Sequence, residues 1–201
     1  ELAAIHRETW QRDAFLVVDE IYQGLTYGGA DHCALALGED PLVVNSFSKY
    51  YGMTGWRVGW VVAPEYLVPE LDRLAQNIFI SAPTAAQHAA LAAFSPAARE
   101  VLEARRQAFR QRRDFLVPAL KDLGFRVPVI PQGAFYVYAD CARFTDDSYA
   151  FCYDLLDRTG VAVTPGKDFG EHGAERHLRF SYTTGMDQME KAMERLAAYL
   201  P

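Results

Sequence analysis

Three short runs without a polar member constrain this chain most: Phe15-Leu16-Val17-Val18, Pro41-Leu42-Val43-Val44 and Val58-Gly59-Trp60-Val61-Val62. A half-exposed strand alternates apolar and polar residues, so an unbroken apolar run suits a strand covered on both faces. Each run also stops abruptly. The first ends at Asp19-Glu20, the second runs into Asn45-Ser46-Phe47-Ser48-Lys49, and the third stops at Ala63-Pro64. Three such strands, separated by connectors, predict the middle of an α/β sheet.

The remaining pattern is mostly helical. Residues 3–12 read as a short helix with Leu2, Ile5 and Trp10 as its apolar positions. Pro64 starts a helix over 65–80, Pro83 another to about 94, and Pro96 a long one over 97–123 that Gly124 closes. Leu102, Phe109, Leu116, Leu120 and Leu123 form the packed stripe of that long helix. Arg99, Arg105, Arg106, Arg110, Arg112 and Arg113 then fall on its opposite, solvated side. The last third mixes strands over 125–127, 134–138 and 177–182 with helices over 148–158 and from 186. On residues 177–182, Leu178, Phe180 and Tyr182 face one way while Arg179 and Ser181 face the other. The expected organisation is a sheet-bearing part over 1–95, a linking helix over 96–124 and a small α+β part over 125–201.

Composition excludes several classes. With 12 Phe, 11 Tyr and 3 Trp, the chain is too aromatic to be disordered. Its 20 Lys+Arg against 26 Asp+Glu give a net charge of -6, poorly suited to nucleic acid or anionic membrane. No apolar run approaches the roughly 18 residues of a membrane span. The first residues have no apolar core of a signal peptide. Cys33, Cys141 and Cys152 lack CxxC spacing, so neither a metal site nor a disulfide framework is expected, and free thiols in a reducing, cytoplasmic setting fit best.

The residues after the second strand carry the chemistry. A lysine at the end of a buried strand faces the crevice where open α/β sheets hold ligands, and burial there favours the neutral, nucleophilic amine. Ser46, Ser48 and Arg57 offer hydroxyls and a guanidinium fork that suit a phosphate. Gly52, Gly55 and Gly59 let the backbone approach a bulky group. The whole stretch from Ser46 to Gly59, with Lys49, Met53-Thr54-Gly55-Trp56-Arg57 and Gly59, resembles the pyridoxal-phosphate lysine segment of class I/II aminotransferases, the aspartate aminotransferase superfamily of fold type I. Asp19-Glu20-Ile21-Tyr22 lies 30 residues before Lys49, as an Asp-x-x-Tyr element does in that family. Leu178-Arg179-Phe180-Ser181 resembles its substrate-carboxylate segment. Residues 133–136 and 165–170 look like pocket-shaping loops of its small domain.

The resemblance implies a site. Lys49 would hold pyridoxal 5′-phosphate as a Schiff base and shuttle the substrate's Cα proton. Asp19 would pair with the pyridine nitrogen and Tyr22 with the phenolic oxygen. Ser46, Arg57 and, more weakly, Ser48 would hold the phosphate. Arg179 would bind the substrate carboxylate as a bidentate pair. The implied activity moves an amino group between an L-amino acid and a 2-oxo acid, in amino-acid metabolism or biosynthesis, in a cytoplasmic homodimer. A carbon–sulfur β-lyase of the same fold uses the same residues, and the other alternative is the non-enzymatic effector domain of an aminotransferase-like transcription regulator. Family members are roughly twice this long. The resemblance thus implies the C-terminal part of a three-layer α/β/α large domain plus a small C-terminal α+β domain. The Gly-rich phosphate loop, the ring-stacking aromatic, the Asn beside the phenolic oxygen and the first strands would be missing. On that expectation Phe15-Leu16-Val17-Val18 has an open edge, and the 201 residues alone have little activity and low solubility.

Overall fold

The apolar runs become strands β1 (Val17–Asp19), β2 (Leu42–Ser46) and β3 (Gly59–Val62), hydrogen-bonded in the order β1-β2-β3. The computed structural model describes residues 1–28 and 32–201. β1 and β2 are parallel, with Val17 opposite Leu42 and Asp19 opposite Val44. β3 is antiparallel to β2, with Val43 opposite Val62 and Ser46 opposite Gly59. Parallel pairing puts the C-terminal residues Asp19 and Ser46 at one end of the sheet, and the antiparallel return brings Gly59, the first residue of β3, to that same end. This single topological fact gathers distant parts of the sequence.

The expected cover on both faces is not found. β2 alternates, with Val43 and Asn45 buried and Val44 exposed, while Val17 on β1 and all four residues of β3 are exposed. Val17, Val44 and Val61 stay 59%, 39% and 46% exposed. An apolar run records that a strand can be covered, whereas its cover is tertiary.

Helix α1 (Leu2–Gln11) buries none of its residues, and Ile5 and Trp10 face outward. A 3-10 turn (Glu65–Leu67) precedes α2 (Val68–Ile78), which stops two residues short of the expected end because Ile80 takes a left-handed φ of 71°. α3 (Thr84–Ala93) sets small residues against the Lys49 loop. Ala90 joins Phe47 and Met53 in a buried cluster, with Tyr51, Val58, Ala89 and Ala93 packed on it.

α4 (Pro96–Asp122) buries Leu102, Phe109, Leu116 and Leu120, as its stripe predicts. Gly124, at φ 99°, turns the chain so that the Phe125 N–H returns to the Leu120 carbonyl at 3.0 Å. Arg99 and Arg110 are exposed as expected, while three other arginines correct the expectation of a solvated row. Arg106 donates to the Thr26 carbonyl at 2.7 Å, Arg112 to Thr183 O at 3.0 Å, and Arg113 to Pro131 O at 3.0 Å. Long apolar stems carry these heads to backbone acceptors that helical spacing alone does not reveal.

The chain divides into two compact units, residues 1–106 and 107–201. In the second, β4 (Tyr136–Asp140), β5 (Thr164–Pro165) and β6 (His177–Ser181) pair antiparallel in the order β4-β6-β5. Leu178, Phe180 and Tyr182 are buried on one side. α5 (Ser148–Thr159) is capped by Asp147, whose carboxylate accepts the Tyr149 N–H at 3.1 Å, and α6 (Met186–Tyr199) buries Met189 and Leu196. The expected strand over 125–127 reduces to one isolated bridge from Arg126 to Asp140. Pro128 has no N–H to extend that ladder. Cys141 and Cys152 are buried free thiols and Cys33 is half-buried. Among the described residues, no helix is long and apolar enough to cross a membrane.

Candidate functional site

The shared end of the first sheet is built by a sequence of local constraints. Asp19 closes β1, and its carboxylate accepts the Ile21 N–H at 3.0 Å in an exposed turn. Its neighbour Glu20 points the other way: it is buried, donates its own N–H to Val44 O at 2.8 Å and accepts the Ala34 N–H at 2.6 Å. Strand alternation thus divides two adjacent acids into one tied to the backbone inside and one facing outward. The sequence reading had not separated them.

β2 delivers Ser46, and the segment to β3 is stitched at every step. The Ser46 hydroxyl accepts the Ser48 N–H at 3.1 Å, Thr54 Oγ1 donates to Ser48 O at 2.7 Å, and the Met53 N–H donates to Phe47 O at 2.9 Å. The Gly52 N–H closes the Lys49 turn on Lys49 O at 3.0 Å. Lys49 is half-buried, and its Nζ lies 5.9 Å from the centroid of the Tyr22 ring, a favourable cation–π placement. Arg57 sits in left-handed backbone, φ 55°, with Nη1 donating to Thr54 O at 2.9 Å. Gly59 is required by close approach: a Cβ there would meet Asn45 O at 2.7 Å and Ser46 Cβ at 2.9 Å. Gly55, grouped with it from the sequence, faces open space.

Ser46, Ser48 and Arg57 line one cavity of about 670 Å³, together with Ile21, Asn45 and Trp60. Asp19, Tyr22 and Lys49 lie outside its walls, although Ile21 links it to their segment. Two hydroxyls and a guanidinium around one hollow are a donor set that fits a phosphate ester. The structure therefore brings together Ser46, Ser48 and Arg57 at the cavity, and Lys49 with Tyr22 beside it.

Arg179 belongs to the second unit. It lies on β6 opposite Tyr138 of β4 and Thr164 of β5. Its guanidinium carbon is 4.2 Å from the Tyr136 ring centroid and 4.4 Å from that of Phe169. The two rings come from the loops expected to shape a pocket. A guanidinium held between two ring faces keeps only its N–H edge for a ligand. Arg179 Nε is buried without a hydrogen-bond partner, a state that calls for an acceptor. A planar carboxylate meets that demand. Gly166 allows the Phe169 loop to approach: a Cβ would come within 2.4 Å of Ala174 O and 2.7 Å of the Tyr138 hydroxyl.

Sequence reasoning missed the individual ring partners Tyr136 and Phe169 and the buried Glu20. Aromatic residues beside an arginine-bearing strand were the available signal for the first two. Strand alternation was the available signal for Glu20.

Residues 1–196 match the family model for aminotransferases of class I and II. The chain is 41% identical to the valine–pyruvate aminotransferase of Mycobacterium tuberculosis, covering 100% of this chain and 52% of that protein. It is 38% identical to the aspartate/prephenate aminotransferase of Thermus thermophilus, covering 99% and 51%. Among solved structures, an aminotransferase from Mycobacterium tuberculosis superposes with a TM-score of 0.95 at 41% identity, covering 100% of this chain and 52% of that one. A Thermus thermophilus aspartate aminotransferase mutant gives 0.91 at 38% identity, covering 98% and 54%. The chain spans about half the length of the curated relatives it matches. With its lysine loop, its phosphate-suited cavity and its caged arginine, the chain belongs to the class I and II aminotransferase family.

Proposed function

We propose that this chain carries the lysine, the cofactor contacts and the carboxylate arginine of an aminotransferase that uses pyridoxal 5′-phosphate to exchange an amino group between an L-amino acid and a 2-oxo acid. The observation that carries this reading is the gathering of Asp19, Ser46, Lys49 and Arg57 at one end of a sheet, with the Lys49 amine against the Tyr22 ring.

Each residue has a task. Lys49 would anchor the cofactor, and its freed amine would take the proton from the substrate Cα and give it back in the second half of the exchange. Asp19, which faces outward, would hold the cofactor's pyridine nitrogen, and Tyr22 its phenolic oxygen. Ser46, Ser48 and Arg57 would hold the phosphate. When bound, the cofactor supplies an electron sink for the charge left at Cα. Arg179 grips the substrate carboxylate edge-on, which selects the Cα bond that breaks.

On this reading residues 1–95 are the C-terminal portion of a three-layer α/β/α cofactor domain, 96–124 the linking helix and 125–201 a small α+β domain. A cytoplasmic homodimer acting in amino-acid metabolism follows from the family resemblance. Relatives named valine–pyruvate aminotransferase and aspartate/prephenate aminotransferase support the amino-acid part of that reading.

The test is made on the complete protein. Lys49→Ala is expected to abolish turnover of an amino-donor and 2-oxo-acid panel and the cofactor bond that borohydride traps. Retention of both would refute the assignment.

A further inference from the structure

The turn that carries Lys49 is gripped from two sides by α4. At one corner the Tyr50 hydroxyl donates to Glu103 Oε1 at 2.7 Å. At the other, the Arg105 guanidinium lies directly over Gly52, where a Cβ would sit 2.0 Å from Nη1. Gly52 is at φ 67°, so the turn geometry favours glycine there, and the missing Cβ lets the Arg105 head rest on the turn.

The same network holds the segment that follows Asp19. The Tyr50 ring covers Gly24, where a Cβ would come within 2.9 Å of the ring. Arg106 donates to Glu103 Oε2 through Nε at 2.8 Å, with Nη2 at 2.7 Å from the same oxygen. It gives its remaining arm, Nη1, to Thr26 O at 2.7 Å. Tyr22, whose ring faces the Lys49 amine, lies two residues before Gly24 and four before Thr26. Turn 49–52 and segment 22–26 are therefore tied to one linked pair on α4, the turn to Glu103 and the segment to Arg106. The ties are short, charge-assisted and partly shielded from solvent, which makes them stronger than surface ion pairs.

A lysine has four rotatable side-chain bonds, so the position of its amine depends first on where the backbone places its Cα. We propose that Tyr50, acting through Glu103 and Arg106, is a positioning residue that fixes the Lys49 turn against the Tyr22–Thr26 segment, so that α4 sets the separation between the Lys49 amine and its neighbours. The proposal rests on the reading of Lys49 as the cofactor-bearing residue. It assigns a functional task to part of the arginine-rich stretch, and the family role of Lys49 does not itself supply that task.

A merely structural brace alters melting temperature alone. A positioning residue also alters the protonation of the amine it places. The experiment uses the complete, cofactor-loaded protein as Lys49→Ala, Tyr50→Phe, Glu103→Ala and Glu103→Gln. Melting temperature, the pH midpoint of the bound cofactor's visible absorbance, kcat and KM are measured on each. Tyr50→Phe keeps the ring on Gly24 and removes only the hydroxyl. It and Glu103→Ala are expected to move the midpoint by about 0.5 or more and to lower kcat roughly ten-fold with little change in KM. Glu103→Gln, which keeps an oxygen acceptor for Tyr50, is expected to restore most of the midpoint. A fall in melting temperature with midpoint and kcat unmoved in both Tyr50→Phe and Glu103→Ala overturns the proposal. Persistence of the lysine-bound absorbance in Lys49→Ala would remove the underlying reading as well. Its loss there, with an unmoved midpoint in Tyr50→Phe, removes the positioning role alone.

Discussion

β3 and β6 are both short strands that carry bulky apolar residues, and those residues sit in opposite surroundings. On β3, Trp60, Val61 and Val62 are 38%, 46% and 38% exposed, whereas Leu178 and Phe180 on β6 are 0% and 3% exposed. β6 has a hydrogen-bonded strand on each side, while β3 has one only, β2, among the described residues. The second unit closes its own core with one face of β6, leaving the other face for Arg179. The first unit spends its order on the sheet end, where backbone hydrogen bonds and the buried Phe47 and Met53 together fix the loop from Ser46 to Gly59. The contrast teaches that a site can be locally rigid on a sheet whose faces are not both covered, provided that the backbone of its loop is stitched.

The largest expected effect concerns the two strands themselves. Leu178→Ala empties a fully buried position and is expected to destabilise the second unit by about 2–5 kcal/mol in denaturant unfolding of this chain. Val61→Ala is expected to stay within about 0.5 kcal/mol. Equal costs at the two positions would erase the contrast.

Next come two glycines of one loop. Gly59→Ala drives a Cβ against the Asn45 carbonyl and is expected to cost about 1–3 kcal/mol, while Gly55→Ala, in open space, is expected to be close to neutral. A neutral Gly59→Ala would show that β2 and β3 are not held together as tightly as their spacing implies.

The smallest effect separates the units by pH. In the second unit, burial first and the Asp140 charge next push the Cys141 thiol from 9.0 to about 12, and burial pushes Cys152 to about 11. In the first, burial and then the hydrogen bond to Glu103 push the Tyr50 hydroxyl from 10.0 to about 12. All three folded values lie above the unfolded ones. Their stabilisation is therefore complete below the unfolded value and is lost as pH rises through the folded one. The thiols begin to weaken the second unit near pH 9, before the tyrosine window opens near pH 10. Replacing Cys141 and Cys152 by Ala is expected to make the fall of unfolding free energy between pH 9 and 10 shallower, leaving the share of Cys33, whose thiol burial also raises, and the slope above pH 10. An unchanged slope below pH 10 would exclude the thiols as its source.

Much of this was legible in the sequence where one period or one stop signal carried it. The alternation of Leu178, Phe180 and Tyr182 against Arg179 and Ser181 gave the faces of β6. The stop signals after the first two runs located the sheet end, whereas the parallel pairing of β1 with β2 is visible only in the structure. The exposure of Val17 and Val61 was not legible, because cover depends on what packs above a strand and not on the strand. The short bridge at Arg126 was hidden behind two apolar neighbours, Phe125 and Val127, which are buried without extending a ladder. Arg106, Arg112 and Arg113 were misplaced for a different reason. Helical spacing locates a Cα, but an arginine head travels several ångströms from it. Family resemblance supplied the roles of Lys49, Asp19, Tyr22 and Arg179. The physical supports around them, Glu20, Tyr50, Glu103, Tyr136 and Phe169, became visible only in three dimensions.

Arg57 combines a left-handed backbone with the guanidinium at the cavity. That backbone costs a non-glycine residue on the order of 1–3 kcal/mol. Glycine would relieve the cost and delete the side chain in one substitution. Selection for heat resistance alone would thus favour glycine at this position, so stability and the side chain pull in opposite directions there.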